Sequence, residues 1–249
     1  MLVIRLIHSA LWWVCNAIIV LVAGVVVPAS RPFDKKERIT MFAAYFWAKT
    51  MLWLAGCKMV VEGRESLEKT GQSVLICNHQ SYFDIFVVIA LLGRPPHFLA
   101  KKELFSIPIF GQLMRIGRVL EIDRQRPLVA VATIKKALEE GFNRHVVIFP
   151  EGTRSKDGVM QPFRRRGITL LAATGLPFLP VGIGNSRGIM PKGNFLVRPG
   201  KIGVVIGEPL QPPPISGEDH HEMEGFIEEL WQEVHTLQQK ASRLVGLEE

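Results

Sequence analysis

VLICNHQSYFDIFVVIALL, residues 74–92, changes its hydrophobic pattern halfway along, and that change decides how the chain is read. The first four residues are a short apolar run of strand type; after the polar NHQS comes an unbroken apolar stretch of helical length. Ser81 is a reasonable N-cap for that helix, which leaves His79 in the loop before it and Asp84 in its first turn. A strand that passes through a short loop into a helix is the building step of α/β domains. VVIF at 146–149, LPVGI at 179–183 and IGVVIG at 202–207 supply further strands, and Pro127 opens another helix as a first-turn proline. The expected fold is therefore α/β, a mixed sheet covered by helices over residues 62–215. Pro212, Pro213 and Pro214 then interrupt the chain. Residues 216–249 are expected to form an amphipathic helix with Phe226, Leu230, Val234, Leu237, Ala241 and Leu244 along one packing stripe.

Residues 1–61 have a different character. ALWWVCNAIIVLVAGVVVPA at 10–29 is nearly free of charge and close to the roughly 20 residues needed to cross hydrocarbon. Its length and the paired Trp12 and Trp13 favour a retained segment over a cleaved signal peptide. Arg31, Lys35, Lys36 and Arg38 follow it and only Arg5 precedes it, so the positive-inside rule places the rest of the chain in the cytoplasm. The stretch 40–60 is rich in aromatic residues but carries Lys49 near its centre. It reads equally as an interfacial helix or as a soluble core helix. Together the two segments form an N-terminal membrane-anchoring unit, as a spanning helix with a surface helix or as a pair embedded in one leaflet.

Composition narrows the classes of partner. Hydrophobic residues make up 48% of the 249, which allows a substantial core and excludes disorder. A net charge of +7 suits nucleic acid, an anionic bilayer or a phosphorylated substrate. With no zinc-knuckle spacing, aromatic ladder or recognition helix, nucleic acid is set aside. Cys15, Cys57 and Cys77 all lie in apolar runs, and their odd number argues against a disulfide framework.

His79 and Asp84 carry the first chemical signal. Residues five apart do not share a face of a continuous helix, but a loop-to-helix turn can fold the imidazole back over the carboxylate. The carboxylate then fixes the tautomer and leaves the other ring nitrogen free to take a proton. The same Ser81-Tyr-Phe-Asp84 also fits a capping-box-like pattern in which Asp84 only stabilises a helix start. VVIFPEGTRSKDG at 146–158 is a second strand leading into a polar loop. Gly152 admits close backbone approach and the fork of Arg154 suits phosphate oxygens; the alternative is an Arg154–Glu151 ion pair in a surface turn. Lys101, Lys102, Arg124 and Arg164 to Arg166 each flank an apolar run. They either converge at one mouth of the sheet or face solvent and anionic lipid. His79, Asp84, His145, His220 and His221 match no common metal-ligand spacing.

Four motifs taken in order resemble those of the glycerolipid acyltransferases that make phosphatidate from lysophosphatidate. NHQSYFD at 78–84 is similar to the family's histidine-four-residues-aspartate block, and GRVLEIDR at 117–124 to its second, with Leu120 and Glu121 departing from the usual residues. FPEGTRS at 149–155 is similar to the third and LPFLPV at 176–181 to the proline-bearing fourth. The resemblance spans about Asn78 to Val181. It implies that His79 is the general base and Asp84 its orienting partner, that Lys101 and Arg154 hold a phosphate, and that Arg124 helps bind the acceptor. Glu151 and Gly152 would shape the acceptor site, with Thr153 beside them. The implied reaction moves a fatty acyl group from an acyl-CoA or acyl carrier protein thioester to the sn-2 hydroxyl of 1-acyl-glycerol 3-phosphate, at a membrane, with no metal or cofactor. Direct transfer is expected over a covalent route through Cys77 or Ser81, with backbone amides at the helix start after His79 as candidate oxyanion donors. Glycerol 3-phosphate or another lyso-lipid is an alternative acceptor, and a non-catalytic lipid-binding membrane protein is the reading from another class.

Overall fold

The computed structural model describes residues 2–122, 127–139, 144–214 and 220–247. Two helices lead, α1 (Leu2–Ser30) and α2 (Arg38–Leu54), followed by β1 (Cys57–Glu62), α3 (Arg64–Thr70), β2 (Val74–Cys77) and α4 (Phe83–Leu92). Next come β3 (His97–Lys101), α5 (Phe110–Ile116), β4 (Leu120–Ile122), α6 (Pro127–Glu139), β5 (Val146–Ile148) and α7 (Arg165–Ala172). The chain continues through β6 (Phe178–Gly184), the short α8 (Ser186–Ile189), β7 (Gly200–Ile206) and the long α9 (His220–Arg243).

The seven strands form one mixed sheet in the order β1-β7-β6-β2-β5-β3-β4. The stretch from β6 to β4 is parallel; β7 pairs antiparallel with β6 and parallel with β1. Alternation along β2 distributes the core. Leu75 and Cys77 face one side, with α1, α2 and α4, whereas Val74 and Ile76 face the other, with α6, α7 and α9. Both faces are covered, which is why VLIC is apolar throughout. The stripe expected on the last helix lies against the sheet, with Leu230, Val234 and Ala241 fully buried. This helix approaches so closely that a Cβ on Gly182 or Gly203 would run into its backbone.

The structure corrects the N-terminal reading in one respect. Residues 57–62, which straddle the expected boundary between 61 and 62, form edge strand β1 rather than the end of a helix. Gly56, at φ +67°, ends the helical run, and Val60 and Val61 then favour extended backbone. Upstream, α1 is long and apolar enough to cross a membrane. One side of it lies along the domain: Trp12 stacks on Phe83 at 5.5 Å and donates its indole N–H to the Met51 carbonyl at 2.9 Å. His8 reaches the Leu54 carbonyl, Ser9 accepts from the Val197 amide, and Val27 is buried. The other side leaves Ile4, Leu11, Ile18, Leu21 and Val25 exposed. Between α1 and α2, Glu37 is buried and bonded to Arg118 and Arg144, each at 2.7 Å, so a charged knot joins the leading helices to the sheet.

Candidate active site

Strands β2 and β5 are adjacent, parallel and in register, Ile76 beside Ile148, so the loops at their carboxyl ends emerge side by side. In open α/β sheets this edge is where ligands bind. The first loop carries His79 and the second the PEGTRS segment, and the Ser155 amide donates to the His79 carbonyl at 2.9 Å to tie them together. Asn78, fully buried, fixes the base of the first loop: its amide donates to the Ile183 carbonyl at 2.9 Å and accepts the Ile183 N–H at 2.7 Å.

The imidazole does fold back over the carboxylate. His79 Nδ1 lies 2.7 Å from Asp84 Oδ2, and the same oxygen accepts the amides of Gln80 and Ser81 at 2.8 Å each. Asp84 therefore both caps the turn and holds the ring; the two readings of the pattern coexist in one oxygen. The helix begins one turn position later than Ser81 implied, with Tyr82 as its cap residue. Ser81 Oγ still accepts the Phe83 amide at 3.2 Å, as a helix-start residue would, and donates to the Met190 carbonyl at 2.7 Å. The Asp84 side chain is fully buried, whereas that of His79 is 17% exposed, so Nε2 is left facing outward. Phe149 backs the ring at 4.2 Å and 21°, limiting its rotation.

Glu151 holds the His79 main chain rather than its ring. One carboxylate oxygen accepts the His79 amide at 2.6 Å and the other the Gln161 amide at 2.9 Å, and the residue is 2% exposed. Burial pushes its carboxyl up to about 7, against the lowering effect of the two amides. Glu151 thus shapes the site from inside rather than lining it, and it does not pair with Arg154. Gly152 turns the chain at φ +69°, where a Cβ would meet Arg164 Nε at 2.8 Å. Arg164 braces this turn through Nε to the Glu151 carbonyl at 3.1 Å. The guanidinium of Arg154 lies 3.6 Å over the Tyr82 ring, its Nη1 buried without a partner among the described residues.

The expected convergence of basic residues is partial. Lys101 ends β3 at the same carboxyl edge, but its side chain lies outside the described residues, as does Arg124 altogether. Lys102 is exposed, and Arg165 turns away to Glu224 on α9 at 2.6 Å. Lys192, in none of the four motifs, stands at the site instead: its ammonium donates to Thr153 Oγ1 and to the Arg154 carbonyl, both at 2.8 Å. Nothing in the local sequence Met-Pro-Lys-Gly marks it, because only the fold brings it across. Two nucleophile candidates are disposed of by burial. The Cys77 thiol is fully buried and pushed far up by desolvation, and Ser81 is buried with its hydroxyl committed to Met190. The amides of Gln80 and Ser81 are likewise committed, to Asp84, so the oxyanion donors expected there are not these two. Among the described residues no cluster of three His, Cys, Asp or Glu side chains could hold a metal ion.

The family model described as Acyltransferase matches residues 58–184. A Cocos nucifera protein named 1-acyl-sn-glycerol-3-phosphate acyltransferase is 33% identical over 66% of this chain and 53% of its own. One of the same name from Pseudomonas aeruginosa is 31% identical over 85% of this chain and 84% of its own. The chain spans about half the length of the coconut relative and of one from Brassica napus. The crystal structure of the 1-acyl-sn-glycerophosphate (LPA) acyltransferase from Thermotoga maritima superposes with a TM-score of 0.77 at 26% identity, covering 99% of this chain and 98% of that one. The matched span runs from β1 to the end of β6 and contains both loops of the site, and on that match the chain belongs to the Acyltransferase family.

Proposed function

We propose that the protein transfers a fatty acyl group from an acyl thioester to the sn-2 hydroxyl of 1-acyl-glycerol 3-phosphate, giving phosphatidate. The observation that carries this reading is the His79–Asp84 contact, with Nδ1 held at 2.7 Å and Nε2 directed outward beside the Arg154 loop. Nδ1–H donates to Asp84, so Nε2 carries the lone pair. It removes the acceptor hydroxyl proton as that oxygen attacks the thioester carbonyl; the tetrahedral intermediate then expels the thiolate, which takes the proton back from the imidazolium. Arg154 supplies a cation for the acceptor's phosphate, and Lys101, whose backbone ends β3 at the same carboxyl edge, is the second phosphate ligand. Clamping that end converts the encounter into an effectively intramolecular one. The burial of Cys77 and Ser81 supports direct transfer over an acyl-enzyme. The names of the relatives support lysophosphatidate as the acceptor. Acyl-CoA or acyl carrier protein serves as donor, with no cofactor.

The open face of α1 adds a membrane to this reading. Because its other side contacts the domain from His8 to Val27, the helix fits embedding along one leaflet better than crossing. The basic run Arg31 to Arg38 favours the cytoplasmic leaflet. The test is a purified preparation offered oleoyl-CoA or oleoyl-acyl carrier protein with lysophosphatidate or glycerol 3-phosphate. Phosphatidate from lysophosphatidate, lost by about 10³-fold in His79→Ala with vesicle binding retained, is the expected result. Full activity in that variant, or acylation of glycerol 3-phosphate alone, overturns the proposal.

A further inference from the structure

We infer that Lys192 is a further ligand for the acceptor's phosphate and sets the enzyme's preference for a phosphorylated acceptor over a neutral one; this rests on the reading above. An ammonium has three N–H donors. Two are taken by neutral oxygens, Thr153 Oγ1 and the Arg154 carbonyl, which leaves the third and the whole positive charge unanswered. Arg154 has no acidic partner either: its guanidinium lies over the Tyr82 ring, and its Nη1 is buried without a hydrogen-bond partner among the described residues. Among the described residues no carboxylate forms an ion pair with either cation. The one acidic side chain of the loop beyond them, Asp157, is bonded to the Ser155 hydroxyl and the Val159 amide. Arg154, in the loop after β5, and Lys192, which reaches that loop's backbone from the segment after α8, thus leave two cations at the site with no acidic partner, and an anion is required to neutralise them. A phosphate monoester, with several acceptor oxygens and up to two charges, fits that requirement.

The fold ties this cation to the reacting group at one end and to the lipid-facing helix at the other. Lys192 follows Pro191, which bridges to Ser81 two residues from His79. The Arg154 carbonyl it bonds and the Ser155 N–H that binds the His79 carbonyl belong to one and the same peptide group. Three residues on, the Phe195 carbonyl accepts the Trp13 indole N–H at 2.9 Å, and Phe195 itself is 63% exposed beside α1. Lys192 therefore stands where a headgroup entering from the bilayer passes on its way to the imidazole.

The test compares wild type, Lys192→Gln and Lys192→Arg, all with oleoyl thioester, on 1-oleoylglycerol 3-phosphate and on 1-oleoylglycerol. Losing one charge-assisted contact at a half-exposed site is expected to raise KM for the phosphorylated acceptor about tenfold. KM for the thioester and the slow rate on 1-oleoylglycerol stay within about twofold, and the arginine variant recovers most of the loss. An unchanged KM, or an equal loss on both acceptors with a lowered thermal midpoint that arginine does not restore, overturns the inference while leaving the proposed function standing. Absence of any wild-type acylation of 1-oleoylglycerol 3-phosphate overturns both.

Discussion

Replacing Glu151 by glutamine keeps the side chain's shape but removes a buried charge and turns one acceptor into a donor. In the native loop both carboxylate oxygens receive backbone amides, from His79 and Gln161, so the ionised form is the one that fits. Burial nevertheless lifts the carboxyl from its ordinary 4.5 to about 7. A carboxyl raised on folding adds stability that is complete below pH 4.5 and disappears as pH climbs through 7. At about 1.4 kcal/mol per pH unit, the native chain should lose ~3 kcal/mol over that window on account of Glu151 alone. His145 opposes it. Desolvation lowers its imidazole from 6.5 to about 4, so its contribution is complete above 6.5 and lost as pH falls through 4. The raw stability profile therefore mixes two slopes of opposite sign, and the informative quantity is the difference between wild type and Glu151→Gln.

That difference should change by ~3 kcal/mol in the variant's favour between pH 4.5 and 8. Against it stands one buried amide facing a glutamine NH₂, a penalty of about 1–3 kcal/mol that does not vary with pH. Above pH 7 the variant is thus about as stable as wild type, yet expected to be slower in transfer, because the His79 amide has lost or shares its acceptor. Denaturant unfolding in a non-ionic detergent across this pH range, paired with initial rates, makes the measurement. A constant difference across the range would refute the assignment of a buried, near-neutral carboxyl to this position. Equal loss of stability and rate at every pH would make Glu151 an ordinary core acceptor.

Three other substitutions separate holding from reacting. Asp84→Asn cannot accept the histidine's Nδ1–H and two backbone amides as a carboxylate does, so kcat should fall by about 10²–10⁴ with KM little changed; a loss confined to KM would contradict the orienting role. Asn78→Ala removes both bonds to Ile183 from a fully buried site, and ~2–4 kcal/mol of stability should go with them in a denaturant titration. Glu37→Ala removes the carboxylate that Arg144, whose side chain is fully buried, bonds at 2.7 Å; a drop of about 3–5 kcal/mol is expected in the same assay, and a neutral result would show that the knot between the leading helices and the sheet contributes nothing to stability.

Local pattern was enough wherever one stretch of chain made its own structure. β2, β5, β6 and β7 each announce themselves as apolar runs because both faces of the sheet are covered, and the His79–Asp84 contact closes within seven residues. The two edge strands, β1 and β4, and β3 next to β4 were silent for the converse reason. HFLAK and LEI, now β3 and β4, are short and polar-flanked, and CKMVVE hides behind an aromatic helix whose end is marked only by Gly56. The site divides along the same line. His79, Asp84 and Arg154 are legible because their neighbours in sequence explain them, whereas the assignment of Glu151 to the acceptor's surroundings missed that its carboxylate points inward to His79's own amide. Lys192 could not be found at all from its neighbours. Its placement depends on a Ser81–Pro191 bridge across more than a hundred residues, made only once β2 and β6 lie side by side. In the proposed reaction the short-range pair supplies the proton transfer, and the inferred role of the long-range cation is to decide which alcohol is presented to it. For this chain, specificity is the part of function that tertiary structure adds, and a substitution at Lys192 should alter the choice of acceptor while leaving the His79–Asp84 pair intact.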